Sequence, residues 1–299
     1  MITTHIGEIA ALFTAVCWTI TATAFESAGK RIGSLSVNLI RLIMALIFIS
    51  FFTLFSRGLL LPSDASASSW IWLTISGLIG FVLGDLFLFQ AYVEIGSRVS
   101  MLIMSTAPPI TALLGFIIMG ERLSVMHIAG MLVTIGGIAL VILVKNTDER
   151  SVEFSQPIKG LVYAFIGALG QALGLILSKY GMGSYNPFAA TQIRIIAGLI
   201  GFAILITYHR KWNDLLMGIK DSKAMLYTSL GALFGPFIGV SLSLVAIKYT
   251  TTGAASTIMS IVPVMIIPVS FFIMKERITS KEVFGAFITV CGVSLLFMN

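Results

Sequence analysis

Charge is what this sequence has least of. Asp, Glu, Lys and Arg make up 11% of its 299 residues, against 57% for hydrophobic residues; soluble domains carry about 25% charged residues. With a mean hydropathy of +1.00, that scarcity excludes an ordinary soluble fold. Cysteine is nearly absent. Cys17 and Cys291 both fall inside apolar runs, so neither a disulfide framework nor a cysteine metal site is suggested. His5, His127 and His209 stand apart at the ends of runs, so no metal site is expected. There is no Walker motif, which excludes direct drive by ATP, and no cofactor is implied. The net charge of +6 has no basic cluster dense enough for nucleic acid and reads as topology and headgroup contact. The longest polar stretches, 145–157 and 209–223, are too short to hold a soluble catalytic domain.

What fills the chain instead is long apolar runs. A helix needs roughly 20 apolar residues to cross the hydrocarbon core. Ten runs approach that length: 6–25, 35–55, 70–92, 99–119, 125–144, 158–178, 187–208, 225–247, 254–274 and 283–298. The last is short and recruits Lys281 and Glu282 as snorkelling ends. The runs lack the two-residue alternation of barrel strands, so helices are the remaining way to satisfy a backbone in lipid. The first run has no basic segment before it and belongs to the repeat described next, so it is read as a span and not a cleaved signal. The expected fold is an all-α polytopic membrane protein of ten transmembrane helices.

The ten runs form two sets of five. Gly80, Gly84, Ala91, Pro108, Glu121, Arg122, Gly130, Thr134 and Gly137 recur 155 positions later as Gly235, Gly239, Ala246, Pro263, Glu276, Arg277, Gly285, Thr289 and Gly292. Nearer the N-terminus the offset is 153, pairing Gly7 with Gly160 and Arg41 with Arg194. The repeats are expected over 1–144 and 158–299, joined by a linker at 145–157. Five is an odd number, so the second copy enters the bilayer upside down, and inverted repeats point to a two-state transporter.

Loop charges give an orientation. Lys and Arg number 13 on the side opposite both termini and 4 on the other, leaving aside Arg41 and Arg194 within runs. Positive charge stays cytoplasmic, so both termini are predicted to face out of the cytoplasm.

Trp18, Arg41, Gly84-Asp85, Ala91, Gly96, Pro108, Gly120-Glu121-Arg122 and the glycines at 130, 136 and 137 make a pattern. It returns as Arg194, Gly239, Ala246, Gly253, Pro263, Glu276-Arg277, Gly285 and Gly292. Over nearly the whole chain this resembles the EamA-like ten-helix branch of the drug/metabolite transporter superfamily. The resemblance implies a basket of helices around a central cavity, with the fifth and tenth helices at the periphery. It also implies a cargo of amino acids, other small metabolites or drugs. Members are commonly drawn with cytoplasmic termini, the reverse of the charge count. Gln171 stands opposite Trp18, where the family often has an aromatic residue.

Several residues stand out. Pro108, Pro109, Pro263 and Pro268 lie inside runs, where proline removes a helical N–H and clashes with the carbonyl four residues back. Breaks at matching positions of two halves point to a central site. The four-spaced pairs Gly80/Gly84 and Gly235/Gly239 suit close backbone approach. Asp85 is the sole aspartate inside a run, on one helical face with Phe89 and Tyr92. It is a candidate for carrying a proton, for meeting a cationic solute, or for pairing with an arginine. Arg41 and Arg194, about two turns into their runs from opposite faces, read as structural anchors. Glu121 and Glu276 read as helix-end partners. Trp18, Asp85, Phe89, Pro108, Gln171 and Pro263 are the expected cavity residues.

The reading is a secondary transporter, exporting a small organic solute by alternating access, as a monomer or homodimer in the cell membrane. A channel or receptor on the same fold is the alternative. The sequence argues against a further alternative, an intramembrane aspartyl protease: Val82 stands where it needs glycine, and a second membrane aspartate is missing.

Overall fold

A computed structural model of the chain describes residues 5–119, 125–145, 152–154, 156–250, 252–275 and 278–295. Helices dominate: α1 (Ile6–Ile32), α2 (Ser34–Arg57), α3 (Ala67–Gly77), α4 (Asp85–Met104), α5 (Ala107–Met119) and α6 (Val125–Ile142) come first. A two-stranded antiparallel ribbon follows, β1 (Leu143–Lys145) with β2 (Val152–Phe154). Then come α7 (Ile158–Met182), α8 (Pro187–Tyr208), α9 (Trp212–Ile219), α10 (Ser222–Ala232), α11 (Val240–Tyr249), α12 (Thr252–Met259), α13 (Val262–Phe272) and α14 (Ser280–Leu295). The ribbon and α9 occupy the two polar stretches that the sequence reading leaves without structure.

Among the described residues, six helical stretches are long and apolar enough to cross a membrane. They are Ile6–Ile32, Ser34–Arg57, Ala67–Met104, Ile158–Met182, Pro187–Tyr208 and Ser222–Tyr249. Shorter apolar helices cover Ile128–Ile142 and Val262–Phe272. Large apolar side chains such as Phe55, Phe272 and Ile117 point outward at 85%, 75% and 71% exposure. Water would not tolerate such a belt, and a bilayer does. The chain is a multi-pass membrane protein.

Local chemistry starts the helices. Asn186 caps α8 through Phe188 and Ala189 N–H at 3.0 and 3.1 Å, with Pro187 at the first helical position. Asp221 caps α10 in the same way, through Lys223 and Ala224. Gly96 takes φ 77 inside α4, a left-handed conformation that favours glycine, and bends the chain there. The freed N–H of Ser97 donates to the fully buried Glu26 carboxylate at 2.7 Å.

Contacts between the first and second parts of the chain are reciprocal. Helix α1 packs on α10 and α11, while α7 packs on α3 and α4; α2 meets α8, and α6 meets α14. At the last contact an added Cβ on Gly137 would lie 2.5 Å from Thr289 Oγ1, and one on Gly292 would lie 2.6 Å from Thr134 Oγ1. The same small residue therefore receives the same threonine from each side. Between α3 and α4, and again between α10 and α11, the helix widens to π geometry, over Leu78–Gly84 and Leu233–Gly239. These are matching positions, 155 residues apart, and each carries one of the glycine pairs.

Candidate functional site

The glycine pairs set how closely the walls of the centre approach. A Cβ on Gly170 would lie 2.5 Å from Gly84 Cα, and one on Gly174 would lie 2.9 Å from Gly80 Cα, so α7 and the first π segment touch backbone to backbone. The second π segment meets α1 less closely. Gly235 faces Thr21 and Phe25, and Gly239 faces Trp18 and Cys17.

Prolines open the other walls. The run expected to be continuous from 99 to 119 is interrupted at Ser105-Thr106, and the run from 254 to 274 at Ser260-Ile261. The new helices start at Ala107 and Val262, each just before a proline without an N–H to donate.

Between these walls lies a cavity of about 150 Å³. Its lining includes Trp18, Asp85, Phe89, Pro108, Gln171 and Pro263, all six residues expected there. It also includes Arg41, Arg194 and Gly235, which the sequence reading treats as framework, and Phe81, which it passes over.

Asp85 is 4% exposed and fully engaged. Its Oδ2 accepts from Arg41 Nη2 at 2.5 Å, and its Oδ1 accepts from Gln171 Nε2 at 2.6 Å. Asn38 locks the pair: its Oδ1 accepts from Arg41 Nε at 3.0 Å, and its Nδ2 donates to the Asp85 backbone carbonyl at 3.3 Å. The Arg41 guanidinium also lies 4.5 Å from the Phe89 ring centre and 5.4 Å from that of Phe25. Asn38 has no counterpart motif in the sequence, and only its place three residues before Arg41 could have signalled it.

The two arginines converge on one ring. Read by depth, they belong near opposite faces of the membrane, yet Arg194 stands 4.8 Å and Arg41 5.6 Å from the same Phe81 ring. Two turns of helix cover about 10 Å, which leaves about 10 Å of a 30 Å core between them. Two long side chains close that gap. Burying each charge at such depth costs about 3 kcal/mol on insertion scales, so each needs compensation from its surroundings.

Glu121, Arg122, Glu276 and Arg277 lie outside the described residues. Pro109 and Pro268 sit inside α5 and α13 and do not line the cavity. Among the described residues no His, Cys, Asp or Glu cluster could hold a metal.

Known proteins share this architecture. An uncharacterized transporter of Archaeoglobus fulgidus is 22% identical over 290 residues, 96% of each chain. The WAT1-related protein At3g02690, chloroplastic, of Arabidopsis thaliana is 22% identical over 262 residues, 83% of this chain and 62% of its own. A solved structure at 15% identity matches with a TM-score of 0.65 over 97% of this chain and 96% of that one, which establishes a shared fold. The EamA-like transporter family matches twice, over residues 5–143 and 158–298. With both copies matched around one central cavity, the chain belongs to the EamA-like transporter family.

Proposed function

We propose that the protein is a secondary carrier that exports a small organic solute across the cell membrane. It works by alternating access between two inverted five-helix repeats at 1–144 and 158–299, joined by 145–157. The observation that carries this is a cavity walled by both parts of the chain, with broken helices entering it at matching positions. In this reading the ten runs are ten spans; α5 with α6 and α12 to α14 supply those too short or too interrupted to stand out alone. The termini face out of the cytoplasm, as the ratio of 13 to 4 basic loop residues indicates. The carrier is not an enzyme and acts as a monomer or homodimer.

Trp18, Phe89, Pro108 and Pro263 meet the solute, and Asp85 with Gln171 braces the wall. The engaged carboxylate favours facilitated exchange over proton coupling at Asp85. A thermal-shift screen across amino acids, nucleosides, organic acids, cations and drugs selects a solute. Counterflow of that solute in proteoliposomes then tests the reading: a carrier gives saturable uptake with transient accumulation. Linear uptake without counterflow means a channel, and no transport of any stabilising solute defeats the proposal.

A further inference from the structure

The repeat is broken where charge matters most. Counting 155 residues on from Asp85 gives Val240, so the first copy supplies a carboxylate to its arginine and the second supplies an isopropyl group. Arg41 therefore has a hydrogen-bonded carboxylate, whereas Arg194, among the described residues, feels the Asp85 charge only from beyond ion-pair distance. The Arg194 side chain is 3% exposed, its Nε has no hydrogen-bond partner, and no carboxylate pairs with it among the described residues. It is held by packing instead. Gly80 leaves the room its Nη2 occupies, since a Cβ there would stand 2.9 Å away, and the Phe81 ring lies beneath the guanidinium.

The charged side chains lining the cavity are Arg41, Arg194 and Asp85, two positive against one negative. Both Asp85 oxygens are already taken. The first turns of α5 and α13 reach the same space, as do the last turns of α4 and α12, so helix ends of both signs face it. The remaining wall is mostly aromatic and aliphatic. A space of about 150 Å³ is enough for a benzene-sized body.

We infer that Arg194 is a binding residue, and that the solute is a small organic monocarboxylate with an apolar or aromatic body. Its carboxylate takes the place that Asp85 fills opposite Arg41, in a bidentate grip that arginine is shaped to give. This rests on the carrier reading and narrows its cargo. Binding neutralises the cavity, so the loaded carrier rearranges without moving an uncompensated charge.

A charge series on one ring tests it. Benzoate, benzyl alcohol and benzylamine are titrated by calorimetry against the full-length protein in lipid nanodiscs. Benzoate is expected to bind about tenfold or more tightly than either other compound, the range for a hydrogen bond to a charged group. Arg194→Gln removes that preference, and Arg194→Lys keeps part of it. Val240→Asp supplies the missing carboxylate, so it abolishes benzoate binding while the melting temperature holds or rises; this arm stands even if Arg194→Gln does not fold. Equal or tighter binding of benzyl alcohol or benzylamine overturns the inference but leaves a carrier of another cargo. Benzoate binding that survives Val240→Asp, or no benzoate binding at about 10 mM, overturns it as well. Proteoliposomes that carry none of the screened solutes defeat the carrier reading itself.

Discussion

Asp85 and Arg41 form a buried ion pair at 2.5 Å, each side chain only a few per cent exposed, with Asn38 and Gln171 satisfying the atoms the pair leaves over. Removing one partner from such a pair strands a charge in a place where water cannot reach it. Asp85→Asn should therefore destabilise the protein by about 3–5 kcal/mol, seen as a large fall in melting temperature. Arg41→Met with Asp85→Leu should recover most of that loss. A fully stable Asp85→Asn variant would show that the pair is not bracing the wall.

Close backbone contact gives a second prediction. Gly170→Ala puts a methyl 2.5 Å from Gly84 Cα, against backbone that cannot move aside, whereas Gly136→Ala meets nothing within 4 Å. The first should cost about 1–3 kcal/mol. The second should be neutral or stabilising by up to about 1 kcal/mol, because alanine is the better helix former. Thermal unfolding in one detergent compares them, and equal stabilities would contradict the packing of α7 on the π segment.

Asp221 lies outside the membrane-spanning segments. The N–H groups of α10 and the Arg31 guanidinium hold its carboxyl below the usual carboxylate range. A depressed value means that its contribution is present above the unfolded pKa and is lost as pH falls through the folded one. Wild-type melting temperature should drop as pH goes below about 4, and Asp221→Asn should start lower and fall less steeply. Parallel curves would show that the carboxylate is not coupled to folding.

Orientation is read out by fusions. A reporter active only outside the cytoplasm should score positive after the last residue and negative in the 145–157 loop. The reverse pattern would overturn the basic-residue count and restore the orientation usual for the family.

The membrane class and the family pattern were legible in the sequence, because each leaves a mark that one chain can carry: apolar length, and glycines and prolines recurring at an offset. The sequence did not show where Arg194 ends. Depth along a helix locates a Cα, but an arginine reaches half a helix diameter beyond it, and Phe81 looked like any aromatic residue in an apolar run. The π segments were hidden for a related reason, since the glycine pairs report close approach without reporting a widened turn. Val240 was legible as a departure from the repeat, yet a valine in a membrane helix draws no attention until it is seen to line one cavity with Arg194.

The most direct test of alternating access needs no knowledge of the cargo. Thr111→Cys lines the cavity and is placed in a background with Cys17→Ala and Cys291→Ala, then treated with a membrane-impermeant thiol reagent from each face in turn. The account predicts modification from both faces, with the two rates moving in opposite directions when benzoate or another bound solute is added. Modification from one face only, under every condition, would contradict it.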